Sequence, residues 1–315
     1  METVIETDKL SKSYDKAIVV NGLDLKIGNG EIFGFLGPNG AGKTTTMKML
    51  LGLVQPTSGT GKVAGYDIIH QVLDVRKHCG VLPDPAGFYD NLNARQNLKF
   101  YGSLYDLEKK DLDAKVEATL DLVGLKDAKN KKIGKFSKGM RQRFGVAQAI
   151  VHDPQVLMFD EPTAGIDPQG AEDFRALMRQ LKAKGKTIFL TSHVMPEVEA
   201  ICDRIGIIIN GEMKICGNVN ELVDQYSRRQ GYQLRLRVKD IGEDVVRSSL
   251  KSLASVYSIV RNDGFFLINA KEDVSEDVSR SILREKGVIT ELESYRPSLN
   301  EIFLDVTRPV AGEQR

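Results

Sequence analysis

Residues 37–46 read GPNGAGKTTT. Gly37-x-x-x-x-Gly42-Lys43-Thr44 is a phosphate-loop pattern, and its flanks suit it. An apolar, strand-like run, Glu31 to Leu36, leads in, and a helical pattern from Gly42 to Leu53 leads out. Each residue type has a task. The glycines, with Pro38, Asn39 and Ala41 between them, let backbone N–H groups turn inward without Cβ clashes. The helix that starts here aims its positive dipole end at the bound phosphates. Lys43 supplies a point charge to the outer phosphates. The Thr44 hydroxyl, with Thr45 beside it, offers the hard oxygen that Mg²⁺ prefers.

A second stretch sits far along the chain: LMFDE, residues 157–161. It is a short apolar run of the buried-strand type that carries two acids out at its C-terminal end, the edge where open α/β sheets bind ligands. Asp160 suits a Mg²⁺ ligand. Glu161 suits a base that polarises an attacking water.

The rest of the N-terminal part alternates strand and helix. Strands are expected at Val4 to Lys9, Ile18 to Ile27, Thr187 to Thr191 and Arg204 to Asn210. Helices are expected over most of 91–123, over Gly139 to Val151, at about 169–184 and near Pro196 to Cys202. Such alternation predicts a parallel sheet with helices on both faces. The character changes near residue 225, where Ser227 to Gly231 reads as a linker. Beyond it, apolar runs in the order βαββαβ predict a small ferredoxin-like α+β domain over 232–315. A final helix, Ser298 to Val306, is expected to enter through Pro297 with Ser298 as its cap.

The bulk numbers exclude several classes. The 315 residues are 41% hydrophobic and 28% charged, with a net charge of +1. That is globular composition without a field for nucleic acid or an anionic membrane. Cys79, Cys202 and Cys216 have no paired spacing, which argues against a disulfide framework or a zinc site. No signal peptide is read at METVIETDKL, and no apolar stretch is long enough to span a bilayer.

Together the motifs resemble the ATP-binding-cassette (ABC) ATPase family over about residues 1–220. KFSKGMRQR, residues 135–143, stands where that family has its signature, usually LSGGQ, and DEPTAGIDP, residues 160–168, resembles the stretch that follows it. The resemblance implies a P-loop NTPase fold: an ABC ATPase domain over 1–225 with antiparallel β and helical subdomains, the latter at about 88–152. It implies ATP and Mg²⁺ as cofactors, and a homodimer in which each ATP lies between one copy's phosphate loop and the other's signature. Ser137 and Gly139 would then offer a hydroxyl and an N–H to a γ-phosphate held by the partner copy. Carried over residue by residue, Tyr14 matches the aromatic that stacks on adenine. His193 matches the histidine that contacts γ-phosphate and water. Asp167 matches the loop that crosses the dimer interface.

Three positions depart from the family pattern. Asp84 stands where glutamine usually touches Mg²⁺ and couples to the membrane subunit. Lys138 replaces a glycine of the signature, and Met140 replaces its glutamine. The SKGM signature and the C-terminal RPSLNEIFL, residues 296–304, resemble the drug, antibiotic and polysaccharide exporter branch. The expectation is an ATP-hydrolysing subunit on the cytoplasmic face of the cell membrane, driving a separate transmembrane permease through a groove that includes Phe88, Tyr89 and Leu92. The alternative is a soluble, non-transport ABC ATPase of translation or repair. No nucleic-acid partner is expected, since no basic patch supports one.

Overall fold

The computed structural model describes residues 2–15, 17–105, 107–294 and 298–307. The chain divides into two compact units, Met1–Asn218 and Val219–Arg315.

In the first unit a six-stranded sheet carries the chemistry. Its strands are β3 (Ile32–Leu36), β6 (Cys79–Leu82), β7 (Val156–Phe159), β8 (Thr187–Ser192), β9 (Arg204–Ile209) and β10 (Glu212–Asn218). The order across the sheet is β10-β9-β3-β8-β7-β6. All neighbours are parallel except β9 and β10. β3, β7 and β8 are buried along their whole length, so they read as continuous apolar runs rather than alternating ones. Phe33 and Phe35 on β3 pack against Phe189 on β8, with ring centroids 6.1 and 5.5 Å apart. Parallel pairing brings the C-terminal ends of β3, β8, β7 and β6 to one edge.

A second sheet is antiparallel, in the order β2-β1-β4-β5: β1 (Thr3–Tyr14), β2 (Ala17–Gly28), β4 (Ser58–Val63) and β5 (Tyr66–Asp67). β4, SGTGKV, has no apolar period of its own, and its pairing with β1 makes it a strand. α1 (Lys43–Leu50) follows β3, and α2 (Val72–His78) precedes β6.

The helical part comprises α3 (Ala94–Ser103), α4 (Lys109–Leu122) and α5 (Lys138–Ile150), packed on one another. The apolar spacing at Leu112, Val116 and Leu120 buries one face of α4. α3 opens with a reciprocal capping box between Asn93 and Gln96. Gly102 lets α4 approach, because a Cβ there would lie 2.3 Å from Leu112 Cδ1. α6 (Pro168–Ala183) and α7 (Met195–Ile201) complete the unit.

The second unit holds β11 (Tyr232–Lys239), α9 (Glu243–Lys251), β12 (Val256–Asn262), β13 (Phe265–Ala270), α10 (Ser275–Arg284) and β14 (Val288–Ser294). Its antiparallel sheet runs β12-β13-β11-β14, the arrangement of a βαββαβ ferredoxin-like fold. Leu234, Leu236, Phe266 and Ile268 meet Val246, Leu250, Val278 and Ile282 in its core. The expected linker at Ser227 to Gly231 differs. α8 (Val219–Gln230) runs through it, because Val219, Leu222, Val223 and Tyr226 give that segment a helical apolar stripe. α11 (Leu299–Thr307) opens with Ser298, which accepts from Glu301 N while its own N–H reaches Glu301 Oε2. Pro297, expected at its entry, lies outside the described residues.

Candidate functional site

The site is assembled at the C-terminal edge of the parallel strands. After β3 the chain turns through the loop of 37–42 into α1. Gly42 precedes Lys43 at φ 106°, and a Cβ there would lie 2.6 Å from Val19 O, so only glycine fits. A cavity of about 200 Å³ is lined by Pro38, Asn39, Gly40, Ala41, Gly42, Lys43, Thr44 and Thr45, with Val19 and Glu161 closing it.

Lys43 is only 6% exposed. Its Nζ donates to Gly37 O at 2.7 Å and Pro38 O at 3.3 Å, and lies 3.2 Å from Glu161 Oε1. A buried ammonium needs such partners. The other Glu161 oxygen, Oε2, lies 2.7 Å from His193 Nδ1. Glu161 has a φ of 46°, left-handed for a non-glycine residue at a strand end. Its neighbour Asp160, at the end of β7, accepts from Thr44 Oγ1 at 2.9 Å and from Thr191 Oγ1 at 2.6 Å. The Thr44 hydroxyl and the Asp160 carboxylate are adjacent hard oxygen donors, the chemistry a divalent cation such as Mg²⁺ prefers.

The structure thus brings together Lys43, Thr44, Asp160, Glu161 and His193 from three strand ends. Other expected residues stand apart. Tyr14, at the end of β1, is 46% exposed and does not line the cavity; Lys12 Nζ sits 4.9 Å from its ring centroid. Asp84 is exposed beyond β6 and makes no hydrogen bond to Thr44 or Asp160. Ser137 caps α5 and accepts from Met140 N at 3.3 Å. Gly139, in the first turn of α5, has open space beside it. Asp167 caps α6 and accepts from Gly170 N at 2.7 Å. Thr191, which sequence reading passed over as a β-branched strand residue, contacts both acids. The signal that could have found it is register: Phe159 pairs with Leu190, so the next residue on β8 lies beside Asp160.

Such an arrangement can hold polyphosphate on backbone N–H groups and an ammonium, place a cation on Thr44 and Asp160, and present a carboxylate to water. Residues 20–164 match the ABC transporter family, and residues 217–307 match the DrrA1-3-like ATP-binding protein C-terminal domain. The chain is similar to the linearmycin resistance ATP-binding protein LnrL of Bacillus subtilis, 36% identical over 96% of this chain and 98% of that one. It is also similar to the bacitracin transport ATP-binding protein BcrA of Bacillus licheniformis, 38% identical over 78% of each. A solved ATP binding subunit of an ABC transporter superposes with a TM-score of 0.65 at 28% identity, covering 71% of this chain and 93% of that chain. These relatives are named for transport or resistance, which favours a transport role over translation or repair. The chain belongs to the ATP-binding proteins of ABC transporters, the ATP-hydrolysing subunits of membrane transporters.

Proposed function

We propose that this ATPase drives export through a separate transmembrane permease, working as a homodimer on the cytoplasmic face of the membrane. The observation that carries the catalytic part is the Glu161 carboxylate, held between Lys43 and His193 beside the Thr44–Asp160 pair.

In this reading the 37–45 loop and Lys43 grip the phosphates, and Tyr14 receives the adenine. Thr44 and Asp160 would hold Mg²⁺, with Asp84 as a further oxygen donor. Mg²⁺, when bound, neutralises charge on the phosphate oxygens. Glu161 accepts the proton of the attacking water, and His193 orients that carboxylate. Ser137 and Gly139 of one copy face the nucleotide of the other, with Asp167 at the crossing between copies.

Among the described residues no helix is long and apolar enough to cross a membrane. A groove of about 510 Å³ offers a seat for the permease, with Leu53, Pro83, Tyr101 and Leu104 among its lining. Leu53 and Leu104 are 55% and 62% exposed. Gln148 also lines it, and its Oε1 has no donor among the described residues. An amphipathic segment with one hydrogen-bond donor complements that surface. Of the residues expected there, Phe88 turns inward onto Phe144, with centroids 5.2 Å apart, while Tyr89 stays exposed against Phe100. The relatives named for linearmycin resistance and bacitracin transport make antibiotics of that kind the favoured cargo class.

The test is Glu161→Gln in the full chain. It should bind ATP, lose turnover and accumulate as an ATP-dependent dimer by size-exclusion chromatography. Normal turnover would remove Glu161 from the base role.

A further inference from the structure

We infer that Thr191 is the positioning residue that keeps the two acids of the site in different roles. Asp160 and Glu161 are neighbours in sequence, yet their side chains serve different partners. Asp160 points to Thr44, whereas Glu161 points to Lys43 and His193. One hydroxyl stands between them. Thr191 Oγ1 donates to Asp160 Oδ1 at 2.6 Å and accepts from Glu161 N at 3.0 Å.

Both halves of that bridge matter. The donated hydrogen bond occupies Oδ1 and leaves Oδ2 toward Thr44, fixing the rotation of the carboxylate. The accepted one anchors the Glu161 amide at φ 46°, a conformation that needs outside support in a residue with a Cβ. Thr191 is fully buried on β8, between β3 and β7, so the bridge is shielded from competing water. Valine fills the same volume but carries neither the proton nor the lone pairs.

The inference rests on the assignment of Asp160 to the cation and Glu161 to the water. It adds that a side chain touching neither nucleotide nor cation sets both. The loss expected on removing such an outer partner is about 10- to 100-fold in activity or metal affinity.

The experiment compares Thr191→Val, Thr191→Ser and Glu161→Gln in the full-length chain. Two quantities are read: kcat and KM for ATP hydrolysis, and the Mg²⁺ concentration that gives half-maximal binding of a fluorescent ATP analogue. Thr191→Val should lower kcat about 10-fold or more, with KM changed less than about twofold. It should also raise the Mg²⁺ midpoint several-fold. Thr191→Ser should restore both. A purely structural role would lower melting temperature without moving the Mg²⁺ midpoint. Thr191→Val matching Thr191→Ser in both readouts, with Glu161→Gln inactive, overturns the inference and leaves the assignment of Glu161 standing. Full turnover in Glu161→Gln overturns that assignment, and the inference with it. If the valine variant does not fold, Thr191→Ala against Thr191→Ser decides. The two differ only by the hydroxyl, and equal behaviour overturns the inference.

Discussion

The phosphate loop and the start of α5, which we propose both meet phosphate, differ in how their charges are met. At the loop, Lys43 is buried and answered by two carbonyls and Glu161, and Glu161 is answered again by His193. At α5 the first turn has no acid and begins with Lys138, which has no ion-pair partner among the described residues. Among the described residues Ser137 bonds only to its own helix. A cation at a helix N-terminus opposes the dipole. The first site is electrostatically closed within one chain, whereas at the second Arg141 is paired with Asp90 and Lys138 carries a positive charge that no described residue answers. The contrast agrees with a half-site completed by a nucleotide on another copy.

Several measurements can break or sharpen that contrast. The largest effect is expected from Lys43→Ala, which leaves Glu161 without its cation. ATP hydrolysis should fall by about 100-fold or more, with loss of nucleotide binding by equilibrium dialysis.

A half-buried group outside the site gives the opposite case. His152 stacks on Tyr105 at 3.7 Å, its Nε2 lies 3.1 Å from Cys79 O, and its Nδ1 has no partner among the described residues. Burial lowers its pKa from 6.5 to about 4. The folded state therefore holds it neutral, while the unfolded chain takes up a proton below about pH 6.5. Stability should be full above that pH and fall between about pH 6.5 and 4, by on the order of 2–3 kcal/mol. Urea unfolding of wild type against His152→Phe across that window checks it, since the variant should lack this part of the slope.

Ser137→Ala should destabilise the chain by about 1 kcal/mol through the lost cap. Its turnover should fall further than that loss of stability explains if the hydroxyl also meets the partner's nucleotide. Lys138→Ala should have the smallest effect and a split sign. Thermal unfolding should show a gain of about 0.3–1 kcal/mol as the dipole clash disappears. Turnover below saturating ATP should fall a few-fold. A gain in stability without a loss of turnover would remove Lys138 from the nucleotide site.

How much of this was legible in sequence follows from what each residue needs locally. Lys43 and Asp160 sit at the ends of apolar runs, so the strand pattern itself locates them, whereas His193 was named from resemblance. The βαββαβ order of the C-terminal unit was readable for the same reason. β4 was not, because a Gly- and Thr-rich strand is specified by its partner β1. β10 carried a signal that was missed: Asn210-Gly211, at φ 50° and 81°, is the two-residue hairpin pair that returns β9 into β10. The linker reading at 227–231 failed because polar composition there conceals a helical stripe that starts upstream, at Val219. Thr191 was invisible, since its role depends on the register of two strands far apart in sequence. Tyr14 and Asp84 were named from resemblance; neither lines the loop cavity, and no strand or helix pattern of their own marks them.

The strand order has a consequence for synthesis on the ribosome. β3, the strand that feeds the phosphate loop, pairs only with β8 and β9. Both are made roughly 150 residues later, so Ile32 to Leu36 leaves the exit tunnel long before its neighbours exist. Until then a wholly apolar strand has two open edges, the condition under which nascent chains aggregate or recruit chaperones. The nucleotide site therefore cannot form progressively as the chain emerges. It closes in one late step, when β8 slots between β3 and β7 and brings Thr191 and His193 to acids synthesised just before them.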